Sequence, residues 1–422
     1  MIFGIFLALL MLILLLSLNC TAISFLYMLT VLALEQWLQT KEVYFVQHTS
    51  FVNVTSGAII MLVAILAIKK NVQRIPIFNN IYFMVMMLYC YAFISCFWSP
   101  VSSISILNYK LALPYIILSV FVAPLTVIDL RGISKAFIFY MFYGTCLLIL
   151  LLFFSQWGYR TLILAGNYNS LYANPLALAS LSGYLFISSV FLGQKSIIKY
   201  FKWVIVLLCL LLAVKTGSRG QFLFMITSVM LFLPFIKSKT GGGKMLKILI
   251  AFFLVFSAYE IILNFSGIES SGDRSRWSSG GLERDFTNRL AAAQNLLYYW
   301  MQSPISILFG LGSSASFLPK IFGFYVHMVP FEVLGELGLF GFSIYFLIIY
   351  KTVRVVIYNL KNKFLDQEDR RILITISAMC LFEFFLSLKQ GSLINNVNFF
   401  GCIIVLSRID SLIKIKTKKL KI

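Results

Sequence analysis

The sequence predicts an all-α integral membrane protein of about 12–13 transmembrane helices, with one large extracytoplasmic loop that contains an amphipathic helix. Three observations carry this. Of the 422 residues, 60% are hydrophobic and only 12% are charged, and the mean hydropathy of +0.92 lies outside the range of soluble domains. Apolar runs recur along the chain at lengths that match a hydrocarbon core of about 30 Å, given a helical rise of about 1.5 Å per residue. The cations are sorted between alternate connections, as they are in proteins threaded through a bilayer.

Residues 1–37 form one apolar stretch broken only at Asn19, too long for a single crossing. They read as spans at 2–18 and 21–37, although the turn between them holds no cation of its own, so twelve and thirteen spans are both open. The stretch lacks a basic leader and a small-residue cleavage site, and a removable signal peptide is not expected. Further spans follow at 51–68, 77–98, 111–128, 136–156, 172–192, 197–214, 220–236 and 245–263. After the large loop come 328–350, 372–388 and a weaker one at 397–413. The chain therefore divides into N-terminal transmembrane helices (1–263), the loop (264–327), and C-terminal helices with a basic tail (328–422).

Lys and Arg total 35 against 15 Asp and Glu, a net charge of +20 that in a soluble protein would suggest nucleic acid. Here 24 of the 35 fall in one set of alternate connections, from Lys69 and Lys70 through Arg131, Lys135 and Lys351 to the Lys-rich tail. That set is assigned to the cytoplasm, with the C-terminus inside and, for thirteen spans, the N-terminus outside. The basicity reports topology, and no nucleic-acid partner is expected. All seven cysteines lie in or beside spans and imply neither a disulfide framework nor a zinc site.

Two cytoplasmic features mimic sites. The run KSKTGGGK at 237–244 resembles a phosphate loop, but Ser238 and Met245 stand where Gly and Ser or Thr are needed, so it reads as a flexible basic linker. The acidic stretch Asp366-Gln-Glu-Asp369 reads as a solvated loop rather than a metal site.

The large loop carries the functional signal, since long ordered loops in compact proteins usually act. Its Ser- and Gly-rich first part reads as irregular. From Asp285 to Ser303 an amphipathic helix places Leu290, Ala293, Leu297, Trp300 and Met301 on one face and ends at Pro304. It lies either at the headgroup level or over the mouth of the bundle, and Gly310-Leu311-Gly312 then marks a tight turn or close backbone approach.

His327, where the loop re-enters the membrane, is a candidate base or donor to an anion. His48 is a weaker candidate, and Glu260, Glu332 and Glu336 read as interfacial. Arg219, at the mouth of a span, has Lys215 four residues before it. A continuous helix would hold two like charges on one face, a cost of a few tenths of a kcal/mol that an anion would offset. Arg289 could instead pair with Asp285 four residues earlier.

Three segments in order, TGSRG at 216–220, RLAAAQNLLYYWMQSP from Arg289 with GLG at 310–312, and HM…GELGLFG from His327 to Gly341, resemble the signature of the O-antigen ligase and polymerase family. The resemblance covers roughly the second half of the chain. It implies a bacterial inner-membrane glycosyltransferase that takes glycan from a polyprenyl diphosphate on the outer face and passes it to an acceptor hydroxyl. On that resemblance Arg219 and Arg289 hold the diphosphate and His327 assists acceptor attack, and Lys215, four residues before Arg219, is a further substrate-binding candidate. The donor is already activated, so no metal or other cofactor is expected. The implied partners are the lipid-linked oligosaccharide, a glycan acceptor and membrane lipids, with a chain-length regulator and a flippase beyond them. Met328 after the histidine and Phe342-Ser343 after Gly341 depart from the ligase pattern and favour a polymerase acting on O-antigen or capsule-type repeats. A ligase with a lipid A-core acceptor and a transporter of lipid-linked sugars are the alternatives, the last lacking the internal repeat such folds often show.

Overall fold

The computed structural model describes residues 2–71, 75–158, 161–166, 174–192, 198–236 and 279–420. The predicted span at 245–263, the KSKTGGGK run, the Ser- and Gly-rich start of the large loop and Glu260 lie outside them. Within them the chain is helical, with one isolated bridge between Trp157 and Leu162. Among the described residues, eight helices are long and apolar enough to cross a membrane. They are α1 (Ile2–Asn19), α5 (Ser50–Lys69), α6 (Asn80–Ser95, run on to Trp98), α7 (Ser102–Tyr115, run on to Thr126), α8 (Leu130–Phe153), α9 (Pro175–Leu192), α11 (Arg219–Phe232, run on to Ile236) and α14 (Val329–Lys361). Beside them run α10 (Ile198–Lys215), α15 (Gln367–Ser387) and α16 (Val397–Leu420). The protein is an all-α integral membrane protein.

Several boundaries differ from expectation for visible reasons. The 21–37 span is two pieces, α2 (Ile23–Met28) and α3 (Val31–Gln39), followed by the short α4 (Val43–Gln47). Thr30 sits at the break and its hydroxyl returns to the Tyr27 carbonyl at 2.6 Å, a local bond that competes with the helical ladder. The 111–128 span begins a further turn and more upstream, with Lys110 inside α7, and it widens into a π-helical stretch over Ile116–Val122 after Pro114 removes a backbone donor. α14 continues past Lys351 and Arg354 to Lys361, and it is interrupted at Gly338 (φ 67°, ψ −171°).

Contacts between connections define two ends of the bundle. At one end Ile2 N donates to Glu42 Oε1 at 3.0 Å, Lys41 reaches the Phe154 carbonyl, and Ser313 N meets Ser95 Oγ at 3.0 Å. At the other, Cys20 Sγ meets the Gly132 carbonyl at 3.1 Å, Ser134 Oγ meets Glu368 at 2.7 Å, and Arg408 Nε meets the Val127 carbonyl at 3.0 Å. The turn after α1 lies at this second, lysine-rich end, where Lys70 donates to the Leu18 carbonyl at 2.6 Å. The cation that the turn lacks in sequence is supplied by the end of α5. α1 thus runs the full depth of the bundle, and the α2–α3 pair returns through it.

The end part of the large loop forms α12 (Ser279–Trp300) and α13 (Pro304–Phe309). Pro304 opens α13 rather than closing α12, as expected of a proline whose missing N–H costs nothing in a first turn, and Ser303 caps it through Ser306 N at 3.1 Å. The buried face of α12 is Ala292, Ala293, Leu296 and Trp300, whereas Met301 is exposed, so the predicted stripe is rotated by about one residue. That face packs on Ala315, Ile321 and Val326 in a small second core, and Leu296 fills the space that a side chain on Gly335 would need. α12 thus packs on α14 and on the segment that leads into it.

Candidate functional site

The TGSRG segment is a helix break. Lys215 ends α10, Gly217 takes φ 65°, and Arg219 begins α11 with its side chain 7% exposed. Only glycine adopts that backbone region without strain. The two cations are therefore not four apart on one continuous helix, which corrects the expectation for this pair. The Lys215 ammonium lies 4.7 Å from the centre of the Trp157 ring and 3.5 Å from the Leu152 carbonyl, and the residue is exposed. Gln221 in the same turn as Arg219 donates to the Leu176 carbonyl at 2.9 Å and Ser180 Oγ at 3.1 Å, which locks α11 against α9.

Arg289, on α12, donates through Nη1 to the backbone carbonyl of Lys389 at 2.6 Å. The Asp285 side chain lies outside those described, so that expected pairing has no counterpart here. Lys389 follows α15, and its side chain lies across Gly220: a Cβ there would collide with the ammonium and stand 2.6 Å from Cδ. One lysine thus touches the Arg219 turn with its side chain and Arg289 with its main chain. In the sequence Lys389 was only one of eleven cations on its side, and nothing in its own neighbourhood marked it.

The Gly310-Leu311-Gly312 segment makes the predicted close approach. Leu311 N donates to the Gly335 carbonyl at 3.0 Å and Gly312 N to the Glu336 carbonyl at 2.8 Å, which satisfies carbonyls that α14 frees at Gly338. Glu336 is 3% exposed, not interfacial, and its carboxylate accepts from Ser314 N at 2.6 Å, Ser316 N at 3.1 Å and Ser316 Oγ at 2.7 Å. Glu332, also buried, accepts from Leu393 N at 3.0 Å and so ties α14 to the loop that carries Lys389. Both carboxylates hold backbone, a role their sequence context did not reveal.

The loop pinned by Glu336 leads into an aromatic wall that ends at His327. The rings of Phe317 and Phe324 are 5.7 Å apart, those of Phe324 and Tyr325 4.2 Å, and those of Tyr325 and His327 4.1 Å. His327 has φ 62°, an uncommon backbone for a non-glycine residue, held in the turn before α14. Burial, and then the positive field of Arg289, push its pKa below the ordinary value of 6.5. Burial and the nearby Glu332 raise that of Tyr325, against the lowering effect of Arg289. A neutral imidazole beside a guanidinium can accept a proton from a hydroxyl while the cation holds an anion.

Lys389 thus links the turn that starts at Arg219 to Arg289, and Arg289 in turn acts on His327 through its field, while Lys215 lies against Trp157. His48 follows α4 at the same end, where its ring packs 4.5 Å from that of Tyr44. No protein-family model matches the chain, and no curated protein matches its sequence.

Proposed function

We propose that the chain is a glycosyltransferase of the outer face of a bacterial inner membrane that joins lipid-linked oligosaccharide repeats, with polyprenyl diphosphate as the leaving group. The observation that carries this reading is that Lys389 bridges the first turn of α11, which opens with Arg219, and Arg289, whose field lowers the pKa of a half-buried His327. In the reaction an acceptor hydroxyl oxygen forms a bond to the anomeric carbon as the bond from that carbon to the diphosphate oxygen breaks. The bonding pair leaves with the diphosphate, whose growing charge the two guanidiniums stabilise in a site poor in water. The hydroxyl proton goes to the neutral His327. The Phe317–Phe324–Tyr325 wall offers ring faces against which a sugar can stack. A ligase would use the same residues and differ in its acceptor, and polymerase is preferred for the Met328 and Phe342-Ser343 departures.

The test supplies purified protein in lipid with a polyprenyl-diphosphate-linked repeat and no other acceptor, and runs the glycan on a gel. A ladder of multiples supports the polymerase. Product only after a lipid acceptor is added identifies the ligase, and no product in either case removes the glycosyltransferase reading.

A further inference from the structure

We infer that the first turn of α11 is the anchoring point for the diphosphate and that Lys389 is a third cation binding it there, an inference that rests on the polyprenyl-diphosphate reading above. Ser218, the residue before α11, makes no side-chain cap bond to the helix. Its hydroxyl is buried at 4% exposure and finds no hydrogen-bond partner among the described residues. A buried hydroxyl at a helix start ordinarily bonds an orphan N–H of the first turn, and leaving it unmatched is costly. Here a 14-residue helix opens with Arg219, and the Lys389 ammonium lies across Gly220 in its first turn. The helix dipole and the Lys389 ammonium each favour an anion at that point, and the unmatched Ser218 hydroxyl has room for an acceptor there. A diphosphate supplies two or more negative charges and several acceptor oxygens, enough for a guanidinium fork, an ammonium, the Ser218 hydroxyl and first-turn N–H groups together.

The architecture fixes Lys389 for this task through its main chain. Its N–H donates to the Leu386 carbonyl at 2.9 Å and its carbonyl takes the Arg289 bond at 2.6 Å, so changing the side chain leaves both bonds in place. A side chain at Gly220 would meet the end of the lysine stem and shift the ammonium from its place.

The test measures binding of sugar-free polyprenyl diphosphate to the purified full chain in detergent, by thermophoresis, at two salt concentrations. Lys389→Met, which keeps the stem over Gly220, is expected to weaken binding about ten- to hundredfold and to flatten its salt dependence. Lys389→Arg should stay within about threefold of the parent. Gly220→Ala, which leaves every charge in place, should weaken binding as Lys389→Met does. If Lys389→Met and Gly220→Ala bind like the parent while Arg219→Ala does not, the inference is overturned and the functional reading stands. If the parent itself does not bind the lipid diphosphate, both fall.

Discussion

Glu336 is the residue on which the shape of the site depends, and its removal gives a prediction with a magnitude. Its carboxylate accepts three hydrogen bonds from Ser314 and Ser316, two of them from backbone N–H groups buried under α12. Glu336→Ala leaves those two donors without an acceptor, whereas the Ser316 hydroxyl can rotate to another. A stranded buried donor costs about 1–3 kcal/mol, so the segment from Ser313 to Leu318 loses about 2–6 kcal/mol of local stability. That segment leads into the Phe317–Tyr325 wall and so into His327. Hydrogen exchange of the detergent-solubilised protein reads the effect directly: amides 314–318 should exchange at least about 30-fold faster, while α8 and α9 keep their protection. Glu336→Gln retains one acceptor oxygen and should fall between. Unchanged exchange at 314–318 in Glu336→Ala would refute the reasoning that this carboxylate holds the loop.

Other consequences follow from the same geometry. The chain has two histidines, so in a His48→Gln background one imidazole can be followed by NMR. Its pKa should lie below 6.5 and rise in Arg289→Ala, because removing the cation makes imidazolium less costly; no movement would detach Arg289 from His327. Lys215→Ala should leave product formation near the parent level and lower stability by about 0.5–1 kcal/mol, the worth of its contact with Trp157; loss of product would return Lys215 to the substrate site. Gly338→Ala forces a left-handed residue and brings Cβ to 2.5 Å from the Leu308 carbonyl. It should lower the thermal midpoint by more than the strain of about 1–2 kcal/mol alone implies, and an unchanged midpoint would contradict the packing of α13 on α14. Single cysteines at Asn19 and Glu42 in a cysteine-free background should be labelled by an impermeant maleimide from opposite sides of sealed vesicles. Labelling from one side would contradict a full crossing by α1.

Much of the membrane architecture was legible because a bilayer imposes length and charge rules that act on every span alike. Helix breaks were less so. Thr30 splits α2 from α3 with no proline or glycine near, and Gly338 reads like any glycine in an apolar run until the Gly310–Gly312 segment is seen docked on it. The stripe of α12 was displaced because Ala292 and Leu296 meet Gly335 and Val326, partners that periodicity cannot supply. Arg219, Arg289 and His327 stood out by residue type and position. Lys389, Glu332 and Glu336 did not, since a lysine at a span end snorkels in most membrane proteins and a carboxylate there is usually wet. Only the fold shows that these two carboxylates hold backbone and that this lysine lies on a helix start.

The central claim is that the cations at this end of the bundle hold a diphosphate that leaves as glycan is transferred. The most direct measurement quantifies free polyprenyl diphosphate released per glycosidic bond when purified protein is given the lipid-linked repeat, in the parent and in the Arg219→Ala, Arg289→Ala double variant. One diphosphate should be released per bond in the parent, with neither release nor polymer from a double variant that still inserts and folds. Equal release and polymer from both proteins would contradict it.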